Sequence, residues 1–237
     1  MTVKKLAVCG DSFMTSSYHK YNEFKGLSWP QNFFEVDLDQ LDDCIKKEAE
    51  SFGYRHYISF VDFLVEGKGF DYTNLALRGA STFMIRMQID QAIKSKADYV
   101  IIGSTSPDRV DVPVQGHRYG PVLTWPPYKE QLEEDSGRKK AIENYVKYIS
   151  DDAVDSLKSY YMLQGGLDRL EKLGIPYIFL TGPMKDCDWT GYNTWPTEKK
   201  QPWDYLGVSH KEDNHLDVDI QQEMAVTLKN ITKNWSN

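Results

Sequence analysis

The sequence predicts an α/β fold in which helices cover a central parallel sheet. Short apolar runs alternate with amphipathic segments along the chain, which is the pattern of parallel strands joined by helical crossovers. The first run, residues 6–9, is apolar throughout, as expected for a strand that is buried on both faces. A length of 237 residues suits one domain, spanning residues 1–237, with a core large enough to fold unaided.

Four strands are predicted for this sheet. The clearest is the third, because its residues are largely β-branched and an aspartate and a glycine bound it. The last is followed at once by Thr181-Gly182-Pro183, which closes it. In chain order the predicted strands are residues 6–9, 71–77, 99–102 and 175–180.

Four helices are predicted from apolar residues that recur at helical spacing. Within the third, Gly165-Gly166 is a weak point, and Gly174 is expected to end it because glycine readily adopts the left-handed conformation of a helix end. The predicted helices are residues 54–65, 80–94, 141–173 and 217–234.

Three insertions interrupt the alternation, near residues 14–50, 107–137 and 184–208. Many of the chain's aromatic residues, which make up 13% of the total, lie in them. Loops of this length are usually functional lids or docking surfaces. A packed insertion without a function is the alternative.

Composition and charge indicate which ligands and which cellular location to expect. A net charge of -7 repels phosphate backbones, so nucleic acid is not expected as a partner. No segment approaches the roughly 20 apolar residues of a membrane span, and the N-terminal apolar run is too short for a signal peptide, so we expect a cytoplasmic location. The three cysteines are odd in number and widely spaced, which favours neither a disulfide framework nor a metal site and fits a reducing compartment.

The first strand runs directly into Gly10-Asp11-Ser12. A serine at the carboxyl edge of a parallel sheet lies where such folds bind their ligands. The glycine permits a sharp turn, and a helix that starts after the serine would direct N–H groups at developing negative charge. The alternative is an ordinary turn in which Asp11 and Ser12 only cap a helix.

A serine hydroxyl is a weak nucleophile at neutral pH and needs a base. Of the five histidines, His215 lies just before the last predicted helix. Glu212 and Asp213 precede it closely, and a carboxylate can orient the imidazole and set its tautomer. A solvated loop histidine is the alternative.

These motifs together resemble the SGNH (GDSL-like) hydrolase superfamily. They are Gly10-Asp11-Ser12, the Asn-Leu-Ala-x-x-Gly segment from Asn74 to Gly79, and an acid–histidine pair before the last helix, in an order that covers nearly the whole chain. The resemblance implies a three-layer flavodoxin-like fold and ester hydrolysis without metal or cofactor. It also implies Ser12 as nucleophile, His215 as base, and the N–H groups of Ser12 and Gly79 as oxyanion donors.

Two positions depart from the family pattern. After the third strand the family usually has Gly-x-Asn-Asp, whose asparagine is a third oxyanion donor, whereas this chain has Thr105 at the asparagine position. The family usually has Asp-x-x-His, whereas here Glu212 lies three residues and Asp213 two residues before His215. Either carboxylate could orient the histidine, and the Thr105 hydroxyl could donate on a shorter stem.

Two functions follow as hypotheses. The first is an esterase-type serine hydrolase whose substrate is a small-molecule or carbohydrate ester, since stacking aromatic residues suit a sugar. The second is a non-catalytic binding or structural protein on the same fold, such as a phage component. The Cys-Gly-Asp-Ser-Phe and Thr-Ser-Pro-Asp-Arg segments are similar to phage-encoded SGNH-like proteins, which implies a phage-encoded or virion-associated origin. Nucleotide binding is not expected, because no glycine-rich phosphate loop follows the first strand.

Overall fold

The computed structural model describes residues 3–11, 13–14, 60–61, 64–65, 70–77, 79–114, 117–123, 137–201, 204 and 218–235, with the backbone alone over 110–114 and 117–123 and at 138, 139, 142, 218 and 219. In chain order the elements are β1 (Lys5–Cys9), β2 (Asp71–Asn74), α1 (Thr82–Lys94), β3 (Tyr99–Gly103), β4 (Arg109–Val114), β5 (His117–Leu123), α2 (Gly137–Tyr148), α3 (Asp152–Leu173), β6 (Tyr177–Leu180) and α4 (Val218–Ile231).

Four parallel strands form the central sheet in the order β2-β1-β3-β6. Each pair is parallel, so every connection crosses from one end of the sheet to the other. This is the strand order of flavodoxin-like sheets, in which the first strand lies inside and the order reverses beside it. The four predicted strands and the predicted fold class are confirmed.

Helices cover both faces of this sheet, because neighbouring side chains of a buried strand point to opposite sides. One face packs against α4 and the other against α1 and α3, which gives three layers. The α4 face contains Leu6, Val8, Tyr99, Ile101, Ile178, Leu180, Met224, Ala225 and Leu228. The opposite face contains Ala7, Cys9, Val100, Ile102, Phe179, Met84, Ile85, Ile89, Leu163, Leu167 and Leu170.

The helix predicted over 141–173 is two helices, and the predicted weak point at Gly165-Gly166 is wrong. The break lies between α2 and α3, where the Asp151 side chain caps α3 by accepting from Val154 N at 2.9 Å. Helix α3 continues through Gly166, where a Cβ would lie 2.9 Å from Ile89 Cδ1, so the glycine permits close packing on α1. Gly174 ends α3 with φ 65°, as predicted.

The segment 107–137, predicted as a loop, contains the antiparallel pair β4–β5 and the start of α2. Valines alternate along β4 at the spacing of a strand. Pro113 and Gly120 are typical of loops and hide this alternation in the sequence. In the structure Pro113 lies at an irregularity of the pairing, between Val112 and Val114, where proline is tolerated.

The described part of the 184–208 insertion packs onto the core. Its backbone runs beside β6, with Phe179 N donating to Asn193 O at 3.0 Å and Trp195 N donating to Phe179 O at 2.8 Å. Trp189 and Trp195 are both buried. This part is therefore a packed insertion. Of the predicted helix 54–65, residues 60, 61, 64 and 65 are helical, and the remainder lies outside the described residues, as does 15–50 of the first insertion.

Candidate active site

The carboxyl ends of β1, β2 and β3 meet at one edge of the sheet, where open parallel sheets bind ligands. Gly10 and Asp11 follow β1, Gly79 and Ala80 lie in the connection from β2 to α1, and Thr105 follows β3. The candidate site is built from these three strand exits.

Gly10 forms the turn out of β1 and is held on both of its backbone polar groups. Its φ of 150° favours glycine, and a Cβ there would lie 2.9 Å from the Met14 Cβ. Gln88 of α1 accepts from Gly10 N through Oε1 at 2.6 Å and donates to Gly10 O through Nε2 at 3.2 Å. Leu77 N also donates to Gly10 O, at 3.1 Å. Helix α1 and the β2 exit therefore hold this turn together.

Asp11 is a fully buried carboxylate at the centre of the site. Its Oδ2 accepts from Thr105 Oγ1 at 2.9 Å and lies 3.0 Å from Arg109 Nη1, and its Oδ1 accepts from Phe13 N at 3.1 Å. A buried carboxylate is tolerated only when it is paired and hydrogen-bonded in this way. The side chain of Asp11 thus joins the exits of β1 and β3 to the start of β4.

Arg109, the first residue of β4, extends this cluster to the β2 exit. Its side chain is only 11% exposed, and Nη1 donates to Ala80 O at 3.0 Å as well as pairing with Asp11. Its Nε is buried and has no hydrogen-bond partner among the described residues. One guanidinium nitrogen therefore contacts both the turn after β1 and the turn after β2.

Gly79 lies in that second turn with a left-handed φ of 70°, which favours glycine. Ala80 N donates to Leu77 O at 3.0 Å and closes the turn. Within the described residues, nothing accepts a hydrogen bond from the Gly79 N–H. Ser81 then caps α1 by accepting from Met84 N at 3.1 Å.

Hydrogen bonds connect the residues around position 12 to each other and to strand β2. Met14 N donates to Asp11 O at 3.0 Å. Asn74 donates from Nδ2 to Met14 O at 2.9 Å and to the Tyr72 hydroxyl at 2.8 Å, while its Oδ1 accepts from Ala76 N at 2.9 Å. The Asn74 side chain, the first of the Asn-Leu-Ala motif, thus connects the β2 exit to the segment after Ser12.

Two of the predicted site residues, Gly79 and Thr105, are described by the structure. Ser12, His215 and both candidate carboxylates, Glu212 and Asp213, lie outside the described residues, and their roles stay predictions. Thr105 is fully buried, and the one proton of its hydroxyl is directed at Asp11. The structure therefore gives Thr105 a partner other than a bound oxyanion.

Arg109 and Gln88 are not among the site residues predicted from the sequence. Arg109 ends the Thr-Ser-Pro-Asp-Arg segment, whose only signal in the sequence is its resemblance to phage-encoded proteins. Gln88 lies between Ile85 and Ile89 on the buried face of α1, so a polar residue inside an apolar stripe was the available signal. A polar group at such a position needs a buried partner, which here is the Gly10 backbone.

Cys9, three residues before Ser12, is not a rival nucleophile. It is fully buried, and desolvation raises the pKa of its thiol, which keeps it protonated. It is the last residue of β1, the strand that the sequence predicts to be buried on both faces. The described residues contain no group of three side chains placed to hold a metal ion, and no helix in them is long and apolar enough to cross a membrane.

Comparisons with known proteins give distant similarity. No protein-family model matches the sequence, and no curated protein matches it significantly. Eight solved chains match. One of them is described as a "putative lipolytic protein of G-D-S-L family from Desulfitobacterium hafniense DCB-2"; it is 11% identical, with a TM-score of 0.43 over 96% of this chain and 99% of that chain.

Proposed function

We propose that the chain is an esterase-type serine hydrolase that transfers an acyl group from an ester to water. The observation that carries the proposal is the buried cluster around Asp11, the residue before Ser12. That cluster joins the exits of β1, β2 and β3 through Thr105 and Arg109. Open parallel sheets bind their ligands at this edge, so a reacting group placed here can reach a substrate.

In the proposed reaction the Ser12 hydroxyl attacks the ester carbonyl while His215 accepts its proton. The proton passes to the leaving alcohol as the C–O bond breaks, which leaves an acyl group on Ser12. His215 then takes a proton from water, which attacks the acyl carbonyl, and the proton returns to Ser12 as the acid leaves. Asp213 or Glu212 orients the imidazole throughout.

The developing oxyanion is held by the N–H groups of Ser12 and Gly79 in this proposal. The left-handed turn at Gly79 and the lack of an acceptor for its N–H among the described residues support this role. Thr105 acts through Asp11, and becomes a third donor only when its hydroxyl turns away from that carboxylate. The aromatic insertions favour a small-molecule or carbohydrate ester as substrate.

The decisive test is covalent labelling of Ser12 by an organophosphonate, combined with hydrolysis of a short-chain activated ester. We expect labelling of Ser12 in the parent protein, and a loss of about 10⁴- to 10⁶-fold in kcat in Ser12→Ala. Ser95→Ala is the matched control, because that hydroxyl only caps the end of α1 by donating to Ala92 O. Equal rates in the parent and Ser12→Ala would remove Ser12 from the mechanism.

A non-catalytic binding protein on the same fold is the second candidate. The position of Thr105 favours it, since the residue at the usual asparagine position donates its hydroxyl proton to Asp11. Such a protein would react with no organophosphonate and hydrolyse no ester, yet would bind its carbohydrate or protein ligand equally well with Ser12 or Ala at position 12.

A further inference from the structure

Arg109 is a charged side chain that lies almost wholly inside the protein and connects two turns. Its Nη1 is 3.0 Å from Asp11 Oδ2 and donates to Ala80 O at 3.0 Å. Asp11 immediately precedes Ser12, and Ala80 immediately follows Gly79. A single nitrogen therefore bridges the two segments that carry the proposed oxyanion donors.

Stability alone does not account for this arrangement. Burial strips water from both charges, and an apolar pair of similar volume is often at least as stable as a buried ion pair. The buried Nε without a partner among the described residues adds a further cost. What the guanidinium provides and an apolar side chain does not is a set of directional bonds, which define the distance and angle between the groups they join.

We propose that Arg109 is a positioning residue that holds the turn after β1 and the turn after β2 in one relative geometry, so that both oxyanion donors address the same oxygen. The proposal rests on the proposed function. Thr105 secures the same Asp11 oxygen from the β3 exit, so the bridge is anchored on three strands. Preorganised donors stabilise charge only where it develops, and a displacement of about 1 Å can cost on the order of 10²-fold in rate.

The kinetic test compares Arg109→Lys and Arg109→Ala with Arg86→Lys. Lysine keeps a positive charge near Asp11 but lacks the planar fork, so Arg109→Lys guards against simple misfolding. Arg86 of α1 is the matched control. Its side chain is 23% exposed and lies 3.5 Å from Asp90 of the same helix, so it pairs with a carboxylate outside the Asp11 cluster. We expect kcat to fall about 10²-fold in Arg109→Lys with KM nearly unchanged, and no change in Arg86→Lys.

Added guanidinium ion at low millimolar concentration is expected to restore part of the kcat of Arg109→Ala, and to leave Arg109→Lys unaffected. A purely structural loss would not respond to this ion. A parental kcat in both Arg109 variants, or a loss confined to KM, would overturn the positioning role.

Hydrogen exchange tests the bridge without any activity. In Arg109→Lys the amides of Phe13 and Ala80, one in each turn, should exchange on the order of tenfold faster, whereas Arg86→Lys should change neither. Faster exchange in both turns of a protein whose Ser12 proves unreactive would uphold the bridge and reject the esterase. Unchanged exchange and unchanged kcat in a working esterase would reject the bridge alone.

Discussion

The central sheet has an ion pair at each end, and the two pairs differ in burial far more than in length. At the amino end Lys4 Nζ lies 2.9 Å from Asp98 Oδ1, and the two side chains are 37% and 34% exposed. At the carboxyl end Arg109 Nη1 lies 3.0 Å from Asp11 Oδ2, with exposures of 11% and 0%. The two separations are nearly equal, whereas contact with water differs greatly between the pairs.

The exposed pair joins the start of β1 to the residue before β3. Two hydrogen bonds lower the pKa of Asp98 below its usual value. The larger effect comes from the Lys5 backbone N–H and the smaller from the Lys4 ammonium. The hydrogen bond to Asp98 in turn raises the pKa of Lys4. Water and salt screen such pairs, so they contribute little to the free energy of unfolding. This pair needs no function to explain it.

The buried pair is different because its charges cannot be separated without leaving one of them unsolvated. Such a pair adds little net stability compared with apolar residues, yet losing one partner is costly. That asymmetry, together with its place at the carboxyl edge of the sheet, favours a role in the site over a role in stability.

The largest effect is expected from Arg109→Met. This change leaves the Asp11 carboxylate buried without its counter-charge, so the free energy of unfolding should fall by about 3–5 kcal/mol. The double variant Asp11→Asn with Arg109→Met removes both charges and should recover most of that loss. Urea unfolding of the parent and the variants measures both. A single variant within about 1 kcal/mol of the parent would mean that water reaches Asp11.

An intermediate effect is expected from Thr105→Val, which keeps the side-chain shape and removes one hydrogen bond to the buried Asp11 carboxylate. Bonds to charged groups contribute about 1.5–3 kcal/mol, so the free energy of unfolding should fall by that amount. Thr105→Ser retains the hydroxyl and is the control. If Thr105 instead donates to an oxyanion, kcat should fall about 10²- to 10³-fold while stability stays near the parent value. Urea unfolding and ester hydrolysis on the same samples separate the two roles.

Strands β1, β3 and β6 were predictable because they are buried on both faces and their sequences are nearly continuous apolar runs. The β4–β5 pair was not, because Pro113 and Gly120 mimic a loop, and the partner that makes β4 a strand is not visible in β4 itself. The break between α2 and α3 was missed because helical periodicity continues across it, and only the Asp151 cap marks the new start.

The site divides in the same way. Gly79 and Thr105 were selected from the sequence because each lies at a motif position in the segment that follows a strand, and their roles stay predictions. The cluster that joins them was not, because it depends on contacts between distant positions, such as the 94 residues that separate Thr105 from Asp11. A local motif identifies which residues leave the sheet, whereas the fold determines which of them meet.

The smallest effect is expected at the exposed end, from Asp98→Asn. Because the folded pKa of Asp98 is lowered, its ionised form stabilises the fold above the usual aspartate pKa of about 3.9, and this contribution is lost as pH falls through the folded value. At pH 7 the substitution should lower the melting temperature by only about 1–3 °C, and less at high salt. As the pH falls through the folded pKa of Asp98, the parent side chain also becomes neutral, so the unfolding curves of the parent and the variant should converge in acid. Calorimetry at pH 7 and at successively lower pH, with and without added salt, makes the measurement. A difference in melting temperature that persists unchanged in acid and in salt would show that the hydrogen bond from the Lys5 N–H, and not charge, accounts for the effect. The pair at the amino end would then act through a hydrogen bond and the pair at the carboxyl end through charge.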